Sequence, residues 1–256
     1  MLLLIDAGNT RIKWAVVPAG AGTAVLGQWT DSGSVAHGEV GQLVEAWRRY
    51  PVGRVLLSNV AGAAMQEELE QALAATLGLH PVPVDWFASV AELAGVRNGY
   101  RAPGQLGCDR FAAAIGARAL FPGRALVVAT CGTATTVDAV TAEGVFAGGM
   151  ILPGLGLMAA TLAKNTAQLP RVAADIEVSG PFADNTDAAI ASGCIAAQAG
   201  AIERAAAAHA RYSGQDVLCV LSGGAAALIA PHLGLPSQQI DNLVLVGLHQ
   251  VVLTTC

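Results

Sequence analysis

The chain has 256 residues, of which 54% are hydrophobic and only 13% charged, with a formal net charge of -5. That balance excludes a disordered chain and leaves ample apolar material for a large core. It also argues against a general nucleic-acid binder, because no Lys/Arg cluster occurs beyond the pair Arg48-Arg49. Read from the start, Met1-Leu2-Leu3-Leu4-Ile5-Asp6 is a short apolar run closed by a carboxylate. It predicts a buried central strand over Leu2–Ile5 and lacks the basic start and longer apolar run of a signal peptide. Ala7–Thr10 is a turn. Arg11–Val17 alternates, with Ile12, Trp14 and Val16 on one face. A Gly-rich turn at Gly20–Gly22 and a third strand at Val25–Trp29 complete an expected antiparallel meander. Val40–Arg49 is helical, Arg54–Ser58 a strand, Met65–Leu77 a helix stopped by Gly78, and Val82–Phe87 a strand despite its prolines. Asp109–Leu120 is a helix linking two halves.

A similar order then returns. Ala125–Thr130, Ala134–Val140 and Val145–Leu152 are strands, with Cys131-Gly132-Thr133 as the first turn. An Ala-rich helix is expected from about Asp184 to Arg211, a strand at Val217–Leu221, and a helix over Ala225–Leu233. The repeated order predicts a duplicated α/β architecture, divided at 1–115 and 116–256, with a cleft between the halves. No apolar stretch reaches the ~20 uninterrupted residues of a spanning helix, so no membrane partner is expected and the cytoplasm is the default. The five cysteines form no C-x-x-C pair and the five histidines are scattered, which fits buried thiols in a reducing compartment better than zinc. Trp14, Trp29, Trp47 and Trp86 read as core residues.

Three turns carry candidate chemistry. In Asp6-Ala7-Gly8-Asn9-Thr10-Arg11-Ile12-Lys13, backbone amides around Gly8 can form an anion site, Thr10 adds a hydroxyl and Lys13 a charge. Asp6, at a strand end, suits a hydrated Mg²⁺. The same residues equally describe an ordinary hairpin, and they are not a P-loop. Thr130-Cys131-Gly132-Thr133-Ala134-Thr135-Thr136 occupies the equivalent place in the second half, and two such turns could grip one polyphosphate from opposite sides. Ser222-Gly223-Gly224 follows an apolar strand and could lie against adenosine; alone, it is a plain strand-to-helix turn. Together the turns resemble the acetate kinase, sugar kinase, Hsp70 and actin superfamily, which implies ribonuclease-H-like halves.

The segment Gly99-Tyr100-Arg101-Ala102-Pro103-Gly104-Gln105-Leu106-Gly107-Cys108-Asp109-Arg110 is more specific. It resembles the "G-Y-x-x-P-x-Q-L-G-x-D-R" segment of type III pantothenate kinases. The resemblance continues through Gly148–Gly154, Thr166–Pro170, Asn185-Thr186 with Ser192-Gly193, and Asp241–Leu245 with Gly247-Leu248. It implies ATP-dependent phosphorylation of pantothenate, the first step of coenzyme A synthesis, by a homodimer whose substrate pocket lies near the interface. Carried over by motif, Asp6, Ala7, Gly8, Asn9, Thr10, Arg11, Ile12, Lys13, Gly132, Thr133, Ser222, Gly223 and Gly224 would serve ATP. Tyr100, Gly107, Cys108, Asp109, Arg110 and Thr186 would serve pantothenate, with Asp109 as general base. Arg110 has the guanidinium fork that suits the pantothenate carboxylate; read without the resemblance, Asp109 is a helix N-cap and Arg110 a surface helix charge. Many family members carry Asp where this chain has Thr130, so the family's K⁺ or NH₄⁺ requirement is expected to be weaker; Asp138 could substitute, or be a plain sheet residue. A sugar acceptor on the same fold, and a kinase-like regulator acting through protein contacts, are the competing readings. The Tyr100–Arg110 segment opposes the first. The joint presence of both phosphate turns and a candidate base opposes the second.

Overall fold

A computed structural model describes residues 1–19, 25–78, 82–172, 178 and 180–255. The Gly20–Gly22 turn and Cys256 lie outside them. The first of two compact units comprises Met1–Phe121 together with the residues from Asn242 onward, and the second is Pro122–Asp241. The contiguous division expected at 115/116 takes no account of this return of the chain end to the first unit.

In the first unit, β1 (Leu2–Ala7) is buried along its whole length, as its continuous apolar run requires. It pairs antiparallel with β2 (Arg11–Val17), which pairs antiparallel with β3 (Asp31–Ala36). On its other side β1 pairs parallel with β4 (Arg54–Asn59), and β4 with β5 (Val84–Trp86), giving the order β3-β2-β1-β4-β5. The third strand is therefore not Val25–Trp29. Gly27 takes φ +77° and the Gln28 N–H bonds the Val25 carbonyl at 3.0 Å, so that segment is a turn. The real edge strand, with the unpromising sequence Asp-Ser-Gly-Ser-Val-Ala, carries Gly33 opposite Trp14. A Cβ at Gly33 would lie 2.9 Å from the indole, so the ring occupies the space of the missing side chain. Helices α1 (Gly41–Trp47) and α2 (Ala63–Leu77) cover this sheet, burying Leu43, Trp47, Met65, Leu69 and Leu73 with Leu3, Ile5, Ile12 and Trp14.

A two-residue pairing of β6 (Glu92–Leu93) with β7 (Val96–Asn98) precedes α3 (Cys108–Leu120). The unit closes with α7 (Leu243–Thr255), which packs on α3 and also touches β1. Its run Leu-Val-Leu-Val-Gly-Leu-His-Gln-Val-Val is buried nearly all round. The two helices meet at glycines. A Cβ on Gly247 would fall 1.8 Å from the Ala112 carbonyl oxygen, and one on Gly116 would fall 2.7 Å from that of Leu243. Gly247→Ala must therefore push two backbones apart. We expect it to cost about 2–3 kcal/mol, seen as a fall in thermal midpoint on the order of 5–10 °C. Gly200→Ala, where the added methyl meets nothing within 4 Å, is the control and should be neutral or slightly stabilising.

The second unit repeats the first. β8 (Ala125–Cys131), β9 (Ala134–Val140) and β10 (Val145–Pro153) form the antiparallel meander. β11 (Val217–Ser222) and β12 (Ser237–Gln239) extend it in parallel from β8, so the order β12-β11-β8-β9-β10 mirrors β5-β4-β1-β2-β3. Each unit is thus the same ribonuclease-H-like α/β arrangement, and the chain has the duplicated fold of the acetate and sugar kinases, Hsp70 and actin. Helix α4 (Leu155–Asn165) leaves β10, and α5 (Thr186–Ser213) crosses the sheet with Asn185 as N-cap and Gly214 as its left-handed stop. The helix expected over Ala225–Leu233 is shorter: α6 (Ala226–Ile229) gives way to a 3-10 turn at Ala230–His232 around Pro231, which lacks the amide needed to continue. Among the described residues no helix is long and apolar enough to cross a membrane.

Candidate active site

In the first unit the turn between β1 and β2 is closed by the Gly8 N–H bonding the Arg11 carbonyl at 3.1 Å, leaving Asn9 and Thr10 exposed at the tip. Asp6 is the penultimate residue of β1. It lies in register with Lys13 on β2 and with Ser58 on β4. Its carboxylate is 9% exposed, and Oδ1 is buried without a hydrogen-bond partner. Burial, and then the negative charge of Asp109, push its pKa up to about 7 against the opposing pull of Lys13. An orphaned, buried carboxylate oxygen beside the β1–β2 turn fits a divalent cation, and Asp6 is the residue that would hold it. Ala7 and Ile12 are fully buried in the sheet, so they can offer a ligand only main chain. The Arg11 guanidinium is engaged with Ser34, Nε and Nη2 donating to Oγ at 3.2 and 2.9 Å and Nη2 to the carbonyl at 3.2 Å.

The Tyr100–Arg110 segment ends at the same strand ends. Cys108 Sγ lies 3.2 Å from Ser58 Oγ and 3.5 Å from the Asn59 carbonyl, which ties the first turn of α3 to β4 beside Asp6. Asp109 is not the N-cap. That position is Gly107, and Asp109 is the second helical residue. Its Oδ1 accepts the Arg110 N–H at 2.8 Å, one of the amides a helix start leaves unpaired. A Cβ on Gly107 would lie 2.7 Å from that oxygen, so only glycine leaves the carboxylate room to fold back. Burial raises the Asp109 pKa, and the Arg110 amide and charge offset this in part. Arg110 is not a surface charge: it is 7% exposed, donates from Nη1 to the Tyr100 hydroxyl at 3.0 Å and lies 5.9 Å from that ring's centroid. Tyr100 is set in turn by Asn98, which accepts the Tyr100 N–H at 3.0 Å and donates to the Pro103 carbonyl at 3.0 Å. Asn98 escaped the sequence reading. An Asn-Gly pair signals a turn but says nothing of a buried amide organising a loop.

In the second unit three turns mesh. The Gly132 N–H bonds the Ala134 carbonyl at 3.0 Å, the Gly154 N–H bonds Thr133 at 2.9 Å, and the Ala225 N–H bonds Cys131 at 3.0 Å. A Cβ would lie 2.0 Å from the Gly132 oxygen if placed on Gly154, and 2.4 Å from the Cys131 oxygen if placed on Gly223, whose φ is +93°. Gly132, Thr133, Ser222 and Gly223 therefore share one place, with Gly224 beside them. Gly154, quoted above only within a motif, belongs with them. Thr130 is in register with Ser222 and with Thr136, and Asp138 is a buried residue of β9. Thr186, the first residue of α5, lines an apolar cavity of about 620 Å³ between α4 and α5, with Met158, Leu162 and Ile190.

The sequence profile of type III pantothenate kinases matches residues 2–208. A type III pantothenate kinase of Janthinobacterium sp. (strain Marseille) is 65% identical, covering 99% of this chain and 98% of its own. One from Herminiimonas arsenicoxydans is 60% identical over 100% of this chain and 98% of its own. Among solved structures, a candidate Baf-family transcriptional activator from Campylobacter jejuni matches with a TM-score of 0.63 at 17% identity, over 98% of this chain and 96% of that one. A candidate 2-dehydro-3-deoxygalactonokinase from Sinorhizobium meliloti matches with a TM-score of 0.58 at 14% identity, over 98% of both chains. These two likenesses concern the fold; the profile and the full-length relatives go further, and on them the chain belongs to the type III pantothenate kinase family.

Proposed function

We propose that this chain transfers the γ-phosphoryl group of ATP to the primary hydroxyl of pantothenate, giving 4'-phosphopantothenate and ADP, as a cytoplasmic homodimer. The observation that carries the reading is the pair of carboxylates in the first unit. Asp109 lies in the family's Gly107–Arg110 segment, close enough to Asp6 at the phosphate turn to raise its pKa. Asp109 accepts the hydroxyl proton as the substrate oxygen forms its bond to the γ-phosphorus and the bond to the β-phosphate oxygen breaks. Its raised pKa makes it a stronger base than an ordinary carboxylate. Arg110, its guanidinium oriented by Tyr100, binds the pantothenate carboxylate. The exposed Asn9–Thr10 turn, with Lys13, meets phosphate oxygens. Gly132 and Thr133 are the equivalent turn of the second unit, and the Ser222–Gly224 backbone suits adenosine. Mg²⁺, when bound, would neutralise developing phosphate charge, and Asp6 is the residue that would hold it. Exposed Met150, Ile151, Leu157 and Leu162 on β10 and α4 support a self-association surface on the second unit.

The test is ADP release with pantothenate and with a panel of sugars, with and without K⁺ or NH₄⁺. Release with pantothenate alone is expected; release with a sugar and none with pantothenate overturns the acceptor. Because Thr130 offers a neutral oxygen where family members carry a carboxylate, turnover is expected to persist in Na⁺ buffer, and Thr130→Asp should increase the response to K⁺. Activity absent in Na⁺ and fully restored by K⁺ in the unaltered chain would defeat this expectation.

A further inference from the structure

His37 lies in the 3-10 turn His37–Glu39 directly after β3, and its Nε2 is 2.8 Å from the Gly8 carbonyl oxygen. A carbonyl can only accept, so this ring nitrogen carries the proton and donates. The placement follows from the sheet. Ala36 pairs opposite Arg11, so the residue after it comes alongside the β1–β2 turn, and the Ala36 N–H bonding Glu39 Oε2 at 3.2 Å fixes the bend. We propose that His37 is a positioning residue of the phosphate turn, holding the Gly8–Asn9 peptide so that the Asn9 N–H faces the phosphate; this rests on the ATP-binding role proposed above for that turn.

The argument is one of peptide geometry. No cis bond occurs among the described residues, so the Gly8 C=O and Asn9 N–H lie in one peptide plane and point in opposite directions from the C–N bond. With the carbonyl held by His37, the amide is directed away from His37. Asn9 is exposed, and its N–H makes no hydrogen bond within the described residues. Glycine needs such a lock. It tolerates both orientations of the following peptide at little cost, and the flipped one would present a carbonyl oxygen, rather than an amide, to a polyanion. Arg11 braces the same turn from Ser34, so β3 and the bend after it hold the turn at two points. This also explains why an edge strand of such weak β composition is built against β2.

The test compares His37→Ala with His37→Gln, whose side-chain amide can donate from about the place of Nε2. Binding of a non-hydrolysable ATP analogue with Mg²⁺ should weaken about five- to tenfold in the alanine variant, the loss of one hydrogen bond's worth of ordering, and recover in the glutamine variant. The KM for pantothenate and the thermal midpoint should hardly move. Unchanged analogue binding overturns the proposal, as does equal weakening toward both substrates with a lowered midpoint, or failure of glutamine to restore binding. If the alanine variant does not fold, His37→Phe keeps the ring and removes the donor, and the same outcomes apply. Thr10→Ala separates the two layers. If it too leaves analogue binding unchanged, the turn is not the nucleotide site; if it weakens binding and His37→Ala does not, only the brace is lost.

Discussion

Asp109→Asn is expected to cut turnover by ~10²–10⁴-fold while the protein keeps its fold, because loss of a general base typically costs that much. The structure sharpens this beyond the choice between base and cap. The N-cap is Gly107, and the Asp109 carboxylate contributes to the helix start by accepting the Arg110 N–H. An Asn oxygen can accept the same bond, so the helix loses nothing. The charge that burial disfavours is removed as well. For a carboxyl whose folded pKa is raised, stability is greatest below the unfolded pKa of 3.8 and declines as pH rises through the folded value. At pH 8 the Asn variant should therefore be no less stable than the parent. Activity of the parent should fall on acidification from above the usual carboxylate range, and the residual activity of the variant should lack that limb. Near-parental turnover would leave Asp109 as a helix-start residue only. A loss confined to pantothenate binding would make it an orienting group rather than a base.

Much of the fold was legible because the two sheets advertise themselves locally. β1, β4, β8 and β11 are continuous apolar runs buried on both faces, and their turns are rich in Gly, Asn and Thr. The errors have a common cause in tertiary context. β3 was misplaced because Asp-Ser-Gly-Ser-Val-Ala has little strand character of its own and forms only against β2, while the more apolar Val25–Trp29 is held as a turn. α7 carries no helical periodicity because almost every side chain is buried, and a run buried all round cannot be assigned by its pattern. At the candidate site, placements that follow from short spacing were readable: Asp6 near the end of β1, Gly8 and Gly132 in turns, and Asp109 at the start of α3. Roles created by distant pairing were not. Nothing near His37 signals that it reaches Gly8, 29 residues earlier. For Arg110 the sequence leaves a surface helix charge open beside a role toward the pantothenate carboxylate, and only Tyr100 and the buried setting of α3 remove the first.

Asp6→Asn is expected to abolish Mg·ATP-dependent turnover and, in metal-free buffer, to stabilise the fold. The two effects have one origin. Asp6 ends a strand with one carboxylate oxygen buried and unpartnered, so in the absence of a cation the charged form is poorly solvated and its pKa rises from 3.8 to about 7. The folded state thus binds a proton more tightly than the unfolded state. The stability this contributes is fully present below pH 3.8 and is lost as pH climbs through about 7. Above that pH the parent carries a buried charge that Lys13 offsets only in part, at a cost on the order of a few kcal/mol. Asparagine is close to isosteric and uncharged, so it removes the cost. Thermal midpoints measured against pH without Mg²⁺ should therefore run together near pH 4 and diverge above pH 6, with the variant higher. Adding Mg²⁺ with an ATP analogue at pH 8 should raise the parent's midpoint and leave the variant's nearly unchanged, since only the parent offers the carboxylate ligand. A variant that is less stable than the parent at pH 8, or that gains as much from Mg²⁺ and the analogue, would mean that Asp6 is a structural residue of the sheet. Stabilisation with loss of turnover is the pattern of a residue whose charge serves a ligand at the expense of the fold.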